Sequence, residues 1–419
     1  PDRTAAHTRL RDYFEAVPKK EKIESLNDLA PVIELYHHMV RAGQYIEAIN
    51  LYRDHINDTG YYQLGAYQTL IELLTALFID GEENMPCFER EDIQAYTLNQ
   101  LGLVHGRIGN TQKSIQLRSK QNNLQAKAGN KEYLATGLAN VAVQQLVIGS
   151  LCAAERNLHR CIDLGHDIGY ELGIAVAHQE LGRILISRGL WIEAAQALDL
   201  SYQYNIKEND YQGLSVDWAY HSLHDLLMAR ENPESQIAIL ESATHHAQRS
   251  LELATQWHRP NSRDFIRGYW LLGASYRAMA STAPRSATEY LEKAEKHLSE
   301  SLRRCRAINL VEMEADILLE NSKLLHAQGE HEEALRLAHE ALTITERSGY
   351  VLQGADVHIW LAELALEGLK VEGLQVENKE LAREYAEKAL QLAHCDDGPP
   401  YHYKVAYEEA QVLLEKLKE

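Results

Sequence analysis

Apolar residues recur every three or four positions through most of the chain, which is the spacing of one buried face of an α-helix. Short turns separate these segments, and several of the turns carry a glycine, namely Gly109, Gly149, Gly189 and Gly329. The first three glycines lie 40 residues apart. Five positions after each glycine, a small residue opens a second amphipathic segment: Ser114, Ala154, Ala194 and Ala334. The pattern predicts helix pairs that repeat every 40 residues or so.

Each feature of this repeat has a physical reason. A glycine ends a helix because it adopts the left-handed conformation of a C-terminal cap. A small residue lets two helices approach closely, whereas a larger one would push them apart. The fold class predicted is an all-α solenoid of about eight antiparallel helix pairs with end helices, in which each repeat packs only on its neighbours.

The pattern also predicts the organisation of the chain. We expect a lead-in helix and loop over residues 1–30, the repeat array over residues 31–402 and a capping helix over residues 403–419. In the capping helix, Glu408, Glu409, Glu415 and Lys416 fit a polar outer face.

Composition narrows the function classes. The 419 residues carry a formal net charge of −19, which argues against direct nucleic-acid binding because that needs a cationic surface. No apolar run approaches the ~18–20 residues of a membrane helix, and no signal peptide is recognisable. Five scattered cysteines without a C-x-x-C pair indicate free thiols in a reducing compartment. We expect a cytoplasmic protein without a membrane partner and, since the sequence starts on proline, a fragment of a longer polypeptide.

Two segments of the sequence resemble the tetratricopeptide repeat, namely Leu181-Gly182 and Gly189-Leu190-Trp191-Ile192-Glu193-Ala194. That family sets a Leu-Gly pair in the first helix and an alanine early in the second. The resemblance covers about residues 32–394 and implies a right-handed superhelix. The period of 40 exceeds the family's usual period of about 34 residues, so the helices are predicted to be longer.

Long-helix repeats of this kind are similar to the C-terminal sensor arrays of bacterial signal-transduction ATPases with numerous domains (STAND), among them the maltose-regulator and NB-ARC-type relatives. The opening stretch, residues 5–38, is similar to the junction that joins a winged-helix element to the repeats in those proteins. The resemblance implies an upstream ATPase domain in the same polypeptide. The phosphate-binding motif G-x-x-x-x-G-K-[ST] does not occur in this sequence.

The resemblance also implies which residues face a ligand. In these solenoids the first helix of each pair lines the concave groove, at positions six and three before the small residue and one, four and five after it. Counting from Gly102, Gly182, Gly273 and Ser322 gives the ligand-binding candidates Tyr96, Asn99, Arg107, Gln179, Arg183, Arg267, Trp270, Arg277 and Lys323. Arginine offers a rigid fork of donors to carboxylates or phosphates, and aromatic residues serve as anchors.

Two interpretations of the basic candidates remain open. The groove could take an acidic peptide segment or another anionic ligand. The same cations could instead form intramolecular salt bridges to the plentiful Asp and Glu residues.

No catalytic motif or cofactor motif is recognisable, so we expect no enzyme, no cofactor and no metal. His221 and His224 lie one turn apart, but no further ligand stands at a matching spacing, and we expect ordinary helix histidines. The predicted function is the ligand-binding sensor of a STAND-type ATPase that recognises a protein or peptide and acts in transcription regulation or antiviral defence. The alternatives are a free-standing protein–protein scaffold or adaptor, and a sensor of a small molecule or oligosaccharide.

Overall fold

The computed structural model describes residues 2–20, 22–256, 261–367, 370–371, 374–375 and 378–418. The chain divides into two compact units. Unit 1 comprises residues 1–137 and 307–310, and unit 2 comprises residues 138–306 and 311–419.

Unit 1 consists of helices in chain order: α1 (Asp2–Glu15), α2 (Leu26–Arg41), α3 (Tyr45–Leu51), α4 (Tyr67–Thr75), α5 (Glu91–Arg107), α6 (Thr111–Lys127) and the first part of α7 (Lys131–Val147). Two π-helical turns, Tyr52–Ile56 and Thr59–Gln63, lie between α3 and α4. The buried Tyr36 phenol donates a hydrogen bond to the Leu73 carbonyl oxygen at 2.6 Å, which ties α2 to α4.

Unit 2 continues from α7 with α8 (Leu151–Ile168), α9 (Glu171–Ser187), α10 (Trp191–Glu208), α11 (Tyr211–Glu231), α12 (Gln236–Ala254), α13 (Ser262–Thr282), α14 (Ala287–Ala307), α15 (Val311–Ala327), α16 (His331–Ser348), α17 (Val351–Glu367), α18 (Lys379–Ala393) and α19 (Lys404–Lys416). Short 3₁₀ turns at Pro233–Ser235 and Pro284–Ser286 lead into α12 and α14. Two short antiparallel strands, β1 (Lys370–Val371) and β2 (Leu374–Gln375), pair Lys370 with Gln375.

The turn glycines end their helices as predicted. Gly109, Gly149, Gly189 and Gly329 have φ between 67° and 86°, in the left-handed region that favours glycine. After Gly149, the Ser150 amide bonds back to the Gln145 carbonyl at 2.9 Å, the bond that closes a Schellman cap. The intermediate turns use the same device at Gly129, Gly169 and Gly349, and Asn209 and Asn309 take that conformation in its place, with φ of 54° and 50°. The 40-residue repeat is therefore two helix-and-turn halves of equal length.

The small residues lie where paired helices touch. Ala154, Ala194 and Ala334 have no exposed surface. A β-carbon added at Gly182 would lie 2.6 Å from Leu198 Cδ2, so a larger residue there would displace the Leu198 side chain from the contact between α9 and α10. The prediction of an all-α solenoid of paired helices is confirmed.

The first helices of successive pairs form the inner layer of unit 2. α9, α11, α13, α15 and α17 contact one another in that order, and α19 contacts both α17 and α11. Because α19 returns to α11, the inner helices of this unit close around an interior space.

All five cysteines are free thiols. Within the described ranges, no helix is long and apolar enough to cross a membrane. The boundaries predicted after residues 30 and 402 rest on the sequence pattern and stay predictions.

Candidate functional site

Three of the candidate residues lie on α5 in unit 1. The Arg107 guanidinium donates a hydrogen bond from Nε to the Tyr61 hydroxyl at 2.7 Å. The Tyr96 hydroxyl and Asn99 Oδ1 are buried without a hydrogen-bond partner among the described residues. None of these three residues lines the interior space that the inner helices of unit 2 surround.

Gln179, on α9 in unit 2, belongs to a buried polar network. Its Nε2 donates to the Gly213 carbonyl at 3.1 Å and to Asp217 Oδ1 at 2.7 Å. Ser201 and Asn205 donate to the same carboxylate at 2.7 Å each. Burial raises the pKa of Asp217 to about 6, although these donors oppose the rise. Gln179 therefore joins α9 to α11 and does not line the cavity.

The inner helices of unit 2 surround a cavity of about 410 Å³ that is partly open to solvent. The structure brings the five remaining candidates together on its wall: Arg183, Arg267, Trp270, Arg277 and Lys323. They come from α9, α13 and α15, and the same wall includes Tyr220 of α11 and Trp360 of α17.

Arg183 and Arg267 flank one aromatic ring. Their guanidinium carbons lie 5.1 Å and 5.4 Å from the centre of the Tyr220 ring, a distance typical of cation–π contacts. Each also has a carboxylate on its own helix, since Arg183 pairs with Glu180 at 2.9 Å and Arg267 pairs with Asp264 at 3.2 Å. These pairs hold both side chains in fixed positions.

Arg277 and Lys323 share one carboxylate. Arg277 Nε lies 2.6 Å from Glu320 Oε2, and Lys323 Nζ lies 3.3 Å from Glu320 Oε1. Burial acts to raise the pKa of Glu320, but the two cations outweigh it and hold that pKa at about 2. Every basic candidate on the cavity wall thus has an intramolecular carboxylate partner, as the second interpretation of the sequence expects.

A further ion pair on the wall joins helices distant in sequence. Arg230, at the end of α11, donates from Nε to Glu409 Oε1 of α19 at 2.8 Å and from Nη1 to Asp356 Oδ1 of α17 at 3.2 Å. The Tyr403 hydroxyl donates to the other oxygen of Asp356 at 2.9 Å. The expectation that Glu409 lies on a polar outer face is wrong, because this carboxylate turns toward the cavity to bind Arg230.

Two carboxylates on the wall differ from the rest. Asp316 of α15 and Glu363 of α17 have no Lys or Arg within ion-pair distance in the described part of the chain. Asp316 accepts one hydrogen bond, from Gln353 Nε2 at 2.7 Å. Burial raises the pKa of Asp316 to about 7 and raises the pKa of Glu363 above its ordinary value.

Some buried polar atoms of the residues that line the cavity also lack hydrogen-bond partners among the described residues. They include the Trp270 indole nitrogen Nε1, a donor, and Gln353 Oε1, an acceptor. By contrast, Trp360 Nε1 donates to Ser322 Oγ at 2.8 Å. Unsatisfied buried groups are rare in folded proteins, so these two atoms set this wall apart from an ordinary packed core.

Sequence reasoning missed several of these residues. The counting rule stopped at Ser322, and if it is continued to Ala362 it gives Asp356 and Glu363, which both line the cavity. Arg230, Tyr403 and Glu409 fall outside the rule because they lie at a helix end or in the last helix. No sequence signal would have found them.

His221 and His224 lie away from this wall. His224 contacts Asp225 at 2.9 Å and the Trp191 carbonyl oxygen at 3.1 Å, while His221 lies 3.7 Å from Asp199. Over the described ranges, no group of three or more His, Cys, Asp or Glu side chains is arranged to hold a metal ion.

Comparison with known proteins gives structural likeness only. No family model matches the sequence, and no curated protein matches it. The Rap conjugation gene regulator of plasmid pLS20, solved with the Phr* peptide, matches with a TM-score of 0.56 and 13% identity over 94% of this chain and 98% of that chain. A Rap protein complexed with Competence and Sporulation Factor matches with a TM-score of 0.51 and 14% identity, over 82% and 92% of the two chains.

A STAND protein with a tetratricopeptide-repeat sensor, from Pyrococcus horikoshii, is more distant. It matches with a TM-score of 0.44 and 13% identity over 100% of this chain and 55% of that chain, and a likeness at this level does not bear on function. The chain therefore has the fold of the tetratricopeptide-like helical-repeat proteins.

Proposed function

We propose that this protein is a non-enzymatic ligand-binding protein, and that the cavity of unit 2 receives part of a protein or peptide ligand. The observation that carries the proposal is the cavity itself, about 410 Å³ in volume, with charged and aromatic side chains from several inner helices on its wall. Binding sites of this kind have volumes of about 300–1,000 Å³ and combine apolar walls with a few placed polar groups.

The shared fold supports a peptide as the ligand. Two proteins of the same fold were solved with a peptide or a factor bound, the pLS20 regulator with the Phr* peptide and the Rap protein with Competence and Sporulation Factor. In this chain, Trp270 and Trp360 supply aromatic area and the ion pairs hold the polar groups rigidly, which lowers the entropy cost of binding.

A peptide library tests the proposal. We expect phage-displayed decapeptides to yield ligands for the purified chain whose affinity is measured by calorimetry. Ala278→Trp should abolish that binding because Ala278 is a small residue on the cavity wall and the new indole would fill the space. Ser281→Trp, on an exposed position of the same helix, is the matched control. A library without ligands, or ligands indifferent to Ala278→Trp, would contradict the proposal.

We extend this proposal to a sensor role in a STAND-type ATPase. A ligand can shift an attached ATPase between resting and assembled states only if it binds one state more tightly. The test is the coding sequence before residue 1, which should encode a G-x-x-x-x-G-K-[ST] motif. An adaptor without an ATPase partner is the alternative, and a complete gene lacking that motif would favour it.

A small-molecule ligand is the second candidate function, and the cavity volume favours it. A cavity of about 410 Å³ suits a compound of drug-like size as well as part of a peptide. A thermal-shift screen separates the two, because a small ligand that binds the native state raises the unfolding temperature without any peptide present.

A further inference from the structure

The cavity wall carries equal numbers of positive and negative side chains. Its six cations are Arg183, Arg230, Arg263, Arg267, Arg277 and Lys323, and its six carboxylates are Glu312, Asp316, Glu320, Asp356, Glu363 and Glu409. The two kinds of charge are nevertheless paired unequally. Each cation has a carboxylate partner at 2.6–3.3 Å, but not every carboxylate has a cation. Glu180 and Asp264, just behind the wall, supply two of these partners.

Two carboxylates are left over when these pairs are made. Asp316 and Glu363 face the cavity without a cation at ion-pair distance among the described residues. A carboxylate removed from water without a partner is costly, and its cost is relieved by an opposite charge. The charged group that these two carboxylates lack is therefore a cation, whereas each cation of the wall already has a carboxylate partner.

Asp316 lies beside a second unsatisfied acceptor. Gln353 Nε2 donates to Asp316 Oδ2 at 2.7 Å and to the Glu312 carbonyl oxygen at 3.1 Å. Because both of these partners are acceptors, the amide must present its nitrogen to them, and its Oε1 is left buried without a donor. The Asp316 carboxylate and the Gln353 amide are thus in hydrogen-bond contact among the residues that line the cavity, and their oxygens form a set that matches the several N–H donors of a guanidinium or ammonium group.

We propose that the cavity recognises a cationic group of its ligand, a guanidinium or an ammonium, through Asp316 and the side-chain oxygen of Gln353. This inference rests on the proposed function and specifies the chemistry of the ligand. In a peptide ligand, the group would be an Arg or Lys side chain or a free amino terminus.

The proposal carries a pH dependence. The charged groups facing Asp316 are Glu312 and Glu320 on its own helix, Asp356 on α17, Arg183 on α9, and Arg263 on α13 through its pair with Glu312. Burial, with Asp356 and Glu320 adding to it, outweighs Gln353 and Arg183, so Asp316 takes up a proton near neutral pH. A cationic ligand needs the ionised carboxylate, so its affinity should fall about tenfold between pH 8 and pH 6.

Three blocked tripeptides test the charge directly. The probes are acetyl-Gly-Arg-Gly-amide, the same peptide with citrulline as the uncharged isostere of arginine, and acetyl-Gly-Glu-Gly-amide. We expect calorimetry at pH 8 with the full chain to show binding of the arginine peptide at least tenfold tighter than binding of the other two. The preference for arginine over citrulline should disappear in Asp316→Asn, which keeps the side-chain shape, and should persist in Glu330→Gln, which changes an exposed residue. Circular dichroism verifies that each variant is folded.

The outcomes separate this inference from the proposed function. Equal or tighter binding of the citrulline or glutamate peptide overturns the cation inference, and so does an arginine preference that survives Asp316→Asn. If no tripeptide binds, the peptides selected from the phage library test the inference. Selected peptides that are not enriched in Arg or Lys and do not need a free amino terminus overturn the inference and leave the proposed function intact. If the library yields no peptide that binds the chain, the proposed function is overturned.

Discussion

Gly273 shows how one small residue sets the distance between two helices. A β-carbon at this position of α13 would lie 2.5 Å from Leu298 Cγ and 3.1 Å from the Leu298 backbone nitrogen of α14. The side chain could turn away, but the backbone could not move without shifting the whole helix. Gly354 of α17 contrasts with it, because its nearest neighbour would be the flexible end of Leu392 at 3.2 Å.

We predict that Gly273→Ala destabilises the protein by about 1–3 kcal/mol through overpacking, which outweighs the gain in helix propensity of about 1 kcal/mol. Gly354→Ala should be neutral or slightly stabilising. Urea unfolding followed by circular dichroism measures both variants. Equal effects of the two substitutions would show that helix spacing is not the constraint at Gly273.

The pKa of Asp316 links a single residue to stability. The native pKa, about 7, exceeds the ordinary value of 3.8, so the native state binds the proton more tightly than the unfolded state does. Stability from this group is fully present below about pH 4 and is lost as pH rises toward 7. Asp316→Asn should therefore raise the free energy of unfolding at pH 8, by up to about 4 kcal/mol, and leave it nearly unchanged at pH 4. Denaturant titrations at the two pH values check this, and a destabilised variant at pH 8 would refute it.

The residue scale also shows what the sequence could predict. The small residues and turn glycines repeat at fixed intervals, so their roles follow from spacing alone. The carboxylate partners of the cations cannot be predicted from spacing, because Glu320 is close in sequence to Lys323 but 43 residues from Arg277. Which Asp or Glu neutralises a given Arg depends on helix packing that no local pattern encodes.

At the scale of elements, α19 is a structural part of the cavity wall. Its Glu409 binds Arg230 of α11, and Lys404 lies 3.0 Å from Glu231 at the end of the same helix. The sequence predicted an amphipathic end helix, and that helix is present. Its return to α11 was not predicted, because a contact between elements about 180 residues apart leaves no periodic signal.

Removal of the Arg230 side chain tests this contact. Arg230→Ala leaves Glu409 and Asp356 partly buried without their cation, and we expect a loss of about 2–3 kcal/mol. Arg249→Ala removes an exposed pair with Glu252 and should lower the unfolding midpoint far less than Arg230→Ala does, because solvent screens exposed ion pairs. Thermal unfolding compares the variants, and similar midpoints for both would contradict a structural role for the Arg230 contacts.

At the scale of the whole molecule, stability is distributed over many helix pairs. Each pair contacts chiefly its neighbours, and the chain divides into two compact units. Repeat arrays of this kind lose the all-or-none cooperativity of small globular domains. The fold class was predictable at this scale because periodicity reports it, whereas the division into units was not, because the repeat continues across it.

We expect scanning calorimetry to give a calorimetric enthalpy of unfolding larger than the van't Hoff enthalpy. Hydrogen exchange should then show groups of helices that open separately. A ratio of one between the two enthalpies would mean that the array unfolds as a single cooperative unit.

The two tryptophan side chains on the cavity wall allow ligand binding to be followed by the protein's intrinsic fluorescence. Trp270 and Trp360 are two of the chain's five tryptophans, and both line the cavity. A ligand that excludes water from this space, or accepts a hydrogen bond from Trp270 Nε1, changes the surroundings from which these rings emit. Intrinsic fluorescence can therefore follow occupancy in real time without a label, and Trp270→Phe and Trp360→Phe would show which part of the wall the ligand reaches first.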